Sequence, residues 1–349
     1  MRRVSRIAVA SVATAALAVT VSACGSSSSS KSAGGGDKNL GLALAYDVGG
    51  KGDQSFNDAA TAGMDKADQE FGYKSTAVEP QDGESDADKV QRLETLAKQG
   101  YNPVIGVGFA YAPAVKAAAA KFPKTTFGIV DDNQIKASNV TDLVFHEEQA
   151  SYLAGVAAAK TTKTNTVGFI GGVDVPLIHK FEAGFKQGVA DTKKGVTVKS
   201  QYLTQTAQEG GFSSPDKGEN AANGQIDAGA DVVYAAAGLS GQGVIKAASE
   251  HKIWAIGVDS DQYKQDALAK YKASILTSAM KDVSGAVFNL AKSVKDGKPQ
   301  TGEVRASLAT GGVSLSDSNP VFKDNADLQA AIKKAEEGIK SGSITVKDS

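Results

Sequence analysis

The chain of 349 residues has one cysteine, three histidines and no long run of one charge. Each scarcity excludes something. With Cys24 alone, neither an intramolecular disulfide nor a cysteine-based metal site can form. His146, His179 and His251 make no His-x-x-x-His or similar pair, which argues against a metal centre. Lysine and arginine number 38 and aspartate and glutamate 39, a formal net charge of -1. Arg2, Arg3 and Arg6 all stand at the very start, so the remainder is more acidic still. A chain without a basic surplus is poorly matched to nucleic acid. No Gly-x-Ser-x-Gly elbow occurs, which argues against an α/β-hydrolase. Gly238-Leu239-Ser240-Gly241-Gln242-Gly243 has the wrong glycine spacing for a dinucleotide fingerprint. No cofactor is expected.

The N-terminus reads as a targeting device. Arg2, Arg3 and Arg6 form a positive region, and residues 7–23 are mostly apolar, too short to span comfortably and suited to a signal peptide over 1–23. It ends Val21-Ser22-Ala23-Cys24, small residues before the single cysteine, which resembles a lipobox with Cys24 as the lipidated first residue of the mature protein. Residues 24–38 then form a Gly/Ser-rich tether with no apolar surface to bury. The expected location is the extracytoplasmic face of the cell membrane, held by a lipid anchor.

From residue 41 the pattern alternates short apolar runs with helical periods, as in parallel sheets covered by helices. The stretch 42–64 sets the theme. Leu42-Ala43-Leu44-Ala45-Tyr46 is long enough for a buried strand, Asp47-Val48-Gly49-Gly50 breaks it, and Ser55 stands where a helix cap would. In an open α/β sheet such a loop lies at the carboxyl end of a strand, where ligands bind. It lacks the Lys-Ser/Thr of a phosphate cradle and carries Asp47, Ser55, Phe56 and Asn57 instead. Strands are predicted over 42–46, 74–78, 104–108, 126–130, 140–145, 166–170, 196–203, 232–236, 254–257, 273–277 and 304–307. A helix over 281–295 is among those predicted between and after them.

An internal repeat is visible. Phe56 precedes Gly63 by seven residues, and Phe181 precedes Gly188 by seven; both pairs follow a Gly-Gly loop. Gly108 and Gly238 end matching segments, and Asp131 and Asp259 end another matching pair. Two similar lobes facing each other would place a phenylalanine and an aspartate from each along one cleft. Opposed aromatic rings hold a planar heterocycle by stacking, and carboxylates accept from hydroxyl or ring N–H groups.

Asp47-Val48-Gly49-Gly50 followed by Ser55-Phe56-Asn57 resembles the signature of the basic membrane protein family, lipoproteins that bind purine nucleosides for ABC transporters. The resemblance runs from about residue 40 to the C-terminal region. It implies a type I periplasmic-binding-protein-like α/β fold, two doubly wound parallel-sheet lobes joined by three hinge crossings. Residues 39–145 with 277–310 would form the N-terminal lobe, and 146–276 with 311–349 the C-terminal lobe. Crossings are expected near 144–149, 276–281 and 309–314. By resemblance Asp259 accepts from ribose hydroxyls and Lys281 contacts the ribose; the two are expected to pair across the cleft. Asp131 and Asn57 would read the base edge with Asp47 nearby, Asn57 both donating and accepting, and Gly238 would offer backbone to the sugar. Which of Asp131 and Asp132 turns inward stays open. The implied partners are a purine nucleoside, an ABC transporter permease and the membrane through Cys24, with the protein a monomer and no enzyme. Two alternatives stand beside this: the same fold carrying a sugar or signalling molecule, or a secreted nucleoside hydrolase.

Overall fold

Leu40–Ala45 (β1) is an apolar run whose last five residues are buried, a strand covered on both faces. A computed structural model describes residues 39–81 and 83–349; the expected signal peptide, Cys24 and the expected tether to residue 38 lie outside the described residues. After β1 come Phe56–Phe71 (α1), Lys74–Val78 (β2), Asp86–Gln99 (α2), Val104–Gly106 (β3), Ala112–Lys121 (α3), Phe127–Val130 (β4) and Val140–Phe145 (β5). All five strands run parallel in the order β2-β1-β3-β4-β5.

The chain then crosses into a second sheet. Glu147–Thr161 (α4) is buried on nearly every side, as its alanine-rich sequence permits. There follow Thr166–Val173 (β6), Pro176–Thr192 (α5), Thr197–Thr204 (β7), Pro215–Asp227 (α6), Val232–Ala236 (β8), Gly241–Glu250 (α7), Trp254–Asp259 (β9) and Ile275–Lys281 (β10). Their order, β7-β6-β8-β9-β10, repeats the first sheet strand for strand. Val283–Lys295 (α8) returns to pack on α1, and Gly302–Ala306 (β11) extends the first sheet beside β5. Val313–Leu315 (β12) extends the second, antiparallel to β10. Pro320–Lys323 (α9) leads into Ala326–Lys340 (α10), which packs on α4. The fold is thus two doubly wound α/β lobes of the type I solute-binding architecture. The chain passes between the sheets after β5, after β10 and after β11.

Two differences from the sequence reading concern the middle crossing. The strand expected at 273–277 runs over Ile275–Lys281 and lies wholly in the second sheet, so the change of lobe falls after Lys281 rather than between 276 and 277. The helix expected from residue 281 begins at Val283 because Asp282 caps it, its Oδ1 accepting from Gly285 N at 2.8 Å. Lys281 is therefore the last residue of a strand, where an open α/β sheet presents its binding groups.

The repeated glycines have a packing cause. A Cβ on Gly63 would sit 2.4 Å from the Ser284 carbonyl of α8, and one on Gly188 would sit 2.0 Å from the Tyr152 carbonyl of α4. Both obstacles are backbone and cannot swing aside. Gly188→Ala is expected to force α5 off α4 and lower unfolding free energy by about 2 kcal/mol. A denaturant midpoint equal to wild type would show that these helices have slack.

Candidate functional site

The switch in strand order beside β1 and β6 leaves a crevice at the carboxyl ends of both sheets. All eight residues singled out in the sequence line one cavity there: Asp47, Phe56, Asn57 and Asp131 from the first lobe, Phe181, Gly238, Asp259 and Lys281 from the second. The empty space, mouth included, is about 520 Å³. Phe56 and Phe181 thus lie on one opening rather than in separate interiors, Phe56 as the first residue of α1 and Phe181 in the second turn of α5.

Asp131 and Asp259 share a backbone conformation that few side chains adopt, with φ of 67° and 62°. Aspartate tolerates this left-handed region better than most residues, at some cost in strain. The two carboxylates converge on Lys281, which is buried: its Nζ donates to Asp131 Oδ2 at 2.6 Å and lies 3.6 Å from Asp259 Oδ1. Burial alone would discharge this lysine, but Asp131, Asp259 and Glu147 outweigh it and hold the ammonium above the ordinary lysine range. The same ammonium stands 4.6 Å from the Phe56 ring centroid and 5.6 Å from that of Phe181. Among the described residues, Asp131 Oδ1 and Asp259 Oδ1 are buried acceptors with no hydrogen-bond donor. Such atoms are costly to leave unmatched.

This geometry corrects one expectation. Asp259 and Lys281 end neighbouring strands of the same sheet, Met280 facing Asp259 in register, so they do not pair across the cleft. The pair that spans it is Lys281 with Asp131. Of the two adjacent acids, Asp131 reaches the cavity's lysine, while Asp132 Oδ1 accepts from Gln134 N at 2.9 Å within its loop.

The loop from Gly49 to Ser55 is pinned to the second lobe. Ser55 Oγ donates to Asp259 Oδ2 at 2.7 Å, and Ser260 Oγ donates back to the Ser55 carbonyl at 2.7 Å. Gln262 Nε2 reaches the Gln54 carbonyl at 3.0 Å, and Gln242 Nε2 the Gly52 carbonyl at 3.0 Å. Ser55 occupies the cap position of α1 as its sequence suggested, yet its hydroxyl is spent across the cleft. Asp53 does the capping, accepting from the backbone of Ser55, Asn57 and Asp58. Asn57 is also less free than its chemistry allows: Oδ1 accepts from Asp47 N at 3.0 Å, and Nδ2 donates to Asp53 Oδ2 at 3.1 Å. It therefore does not both donate and accept toward the cavity.

Sequence reasoning missed Asp53, Phe109 and Phe212, which also line the cavity. Asp53 had a signal, an acid two residues before the cap. Phe109 follows Gly108 as Leu239 follows Gly238, so the repeat points there. Phe212 lies in the loop between β7 and α6, and the matching loop between β2 and α2, residues 79–85, carries no aromatic residue, so the repeat leaves no trace of it.

Burial raises Asp47 to about 7, Glu147 to about 7 and Asp53 to about 6. In the unfolded chain these groups return to the usual carboxylate range near 4. Between about pH 4 and 7 the native state therefore holds protons that the unfolded chain has lost, and stability falls as pH rises through that window. The ligand-free protein is expected to melt several degrees higher at pH 5 than at pH 8. A melting temperature that climbs across this interval would contradict the burial of these three groups as charged species.

Residues 42–348 match the family described as ABC transporter substrate-binding protein, PnrA-like. The chain is 36% identical to the ABC transporter nucleoside-binding protein BmpA of Lactococcus lactis, over 88% of this chain and 89% of that one. It is 34% identical to the CD4+ T-cell-stimulating antigen of Listeria monocytogenes, over 88% of each. Among solved structures, a solute-binding protein of an ABC transporter system from Aeropyrum pernix superposes with a TM-score of 0.75 at 24% identity, covering 89% of this chain and 94% of that one.

Proposed function

The chain belongs to the PnrA-like family of ABC transporter substrate-binding proteins, and from that premise we propose that it captures purine nucleosides between its lobes and hands them to an ABC permease. Lipidated Cys24 would keep it at the extracytoplasmic face of the membrane. The observation that carries the ligand class is the pairing of two kinds of group on one cavity. Phe56 and Phe181 offer apolar faces from opposite lobes, and two orphaned carboxylate oxygens, Asp131 Oδ1 and Asp259 Oδ1, await donors. A nucleoside has both halves, a flat base to stack and a sugar with vicinal hydroxyls to donate. Lys281, buried beside both carboxylates, supplies a donor for a hydroxyl or ring oxygen.

In this reading Asp259 and Lys281 take the ribose, Gly238 adds backbone contact, and Asp131, Asn57 and Asp47 face the base. The closed loop 49–55 buries the ligand once it is in, which makes occupancy a change of shape that a permease reads. Calorimetric titration with adenosine, guanosine, inosine, cytidine, uridine and a sugar series tests the proposal. Heat from purine nucleosides is expected. Binding of sugars with silence from every nucleoside would overturn the ligand class. Binding without turnover is part of the reading, so steady release of hypoxanthine from inosine would overturn it in favour of an enzyme.

A further inference from the structure

Asp53 lies in the loop between β1 and α1 and is 1% exposed. Four N–H groups converge on its carboxylate. Oδ1 accepts from Ser55 N at 2.9 Å and Asp58 N at 3.2 Å; Oδ2 accepts from Asn57 N at 2.8 Å and Asn57 Nδ2 at 3.1 Å. A loop cap needs only the three backbone bonds. The fourth bond reaches a side chain of the cavity wall.

Asn57 is held from its other end as well, Oδ1 accepting from Asp47 N at 3.0 Å. A backbone N–H only donates, and an ionised carboxylate only accepts. The amide consequently has one permitted orientation; flipping it would set two donors against each other at Asp47 and two acceptors at Asp53. With Oδ1 committed and one hydrogen committed, a single amide hydrogen remains, and no described residue accepts it.

We propose that Asp53 is a positioning residue that locks the Asn57 amide as a single hydrogen-bond donor, so that the site recognises a base through an acceptor nitrogen common to all purines. The inference rests on the nucleoside reading and deepens it. Adenine and hypoxanthine present opposite donor and acceptor patterns along the edge that carries their exocyclic group. A freely turning amide would adapt to either. A locked donor reads what they share, the ring nitrogens N3 and N7, which accept in every purine. Breadth among purines then follows from rigidity.

The test titrates the full-length protein with adenosine, inosine and the 3-deaza and 7-deaza analogue of each. In wild type, replacing one and the same ring nitrogen by C–H is expected to weaken both nucleosides about tenfold or more. Asn57→Ala removes the donor, and its deaza penalty should shrink to within about threefold. Asp53→Asn should lose the penalty equally, and the double variant should bind no more weakly than Asn57→Ala alone. A role confined to capping predicts something else, a lower melting temperature with the full deaza penalty intact, and that result overturns the proposal. Should Asp53→Asn fail to fold, wild type still decides. Adenosine and inosine losing affinity at different nitrogens, or at neither, would refute a locked shared donor. Failure of every nucleoside to bind sinks the parent reading along with it, whereas tight binding with no deaza penalty sinks only the lock.

Discussion

Lys281→Met is expected to lower the unfolding free energy by about 3–5 kcal/mol at pH 8, the cost of leaving buried carboxylates without their cation. The side chain lengths are similar, so the loss is one of charge rather than volume. Asp131 at 2.6 Å and Asp259 at 3.6 Å would both face an apolar sulfur, with Glu147 close behind. The sign of the pH dependence follows. Without the ammonium, Asp131 and Glu147, both already raised by burial, bind protons more tightly than in the unfolded chain. Stability of the variant is then present at low pH and lost as pH rises through the native values. The deficit relative to wild type should be largest at pH 8 and smallest near pH 4. Adding Asp131→Asn should recover part of it. Thermal unfolding of the three proteins across that range decides the matter, and equal melting temperatures at pH 8 would mean that the triad contributes nothing to stability.

Asp259→Ala should weaken purine nucleosides by about 100-fold or more, since each hydrogen bond to a charged acceptor is worth about 1.5–3 kcal/mol and two kinds are lost. One is the orphaned Oδ1 on the cavity; the other is the Ser55 contact on Oδ2 that holds the loop across the cleft. Ser55→Ala separates them, removing only the loop contact, and should speed dissociation with a smaller loss of affinity. The decisive comparison uses 2′-deoxynucleosides. They should bind wild type poorly and Asp259→Ala no worse than the parent ribosides. An Asp259→Ala protein that binds within about threefold of wild type would remove Asp259 from ligand recognition altogether.

The architecture was legible because each unit carries its own signals: Leu40–Ala45 is apolar and flanked by turn residues, and the matched Phe, Gly and Asp positions exposed the doubling. The equal strand orders of the two sheets are the physical content of that repeat. What the sequence hid is what depends on three dimensions. β12 has three residues after two glycines, too few for any alternation to register. The end of β10 was misplaced because Met280-Lys281 favours helix locally, while pairing with β9 and β12 extends the strand. Likewise the roles of Ser55 and Asn57 follow from partners such as Asp259 on the facing lobe and Asp53 in the same loop. Side-chain type showed that they were polar and near a helix start, but not where their hydrogen bonds were already promised.

The interleaving of the late segments has a consequence for how this chain is made. α8 covers α1, and β11 completes the first sheet beside β5, with Thr141 Oγ1 bonded to the Gln300 carbonyl 159 positions away. The amino-terminal half therefore lacks both its lid and its border strand until almost the whole polypeptide has emerged. Contacts this distant in sequence form slowly. The first lobe of such a chain is expected to complete its fold only after residue 306 has emerged. Limited proteolysis of a version ending at residue 282 should find β1 to β5 digested where the complete protein resists.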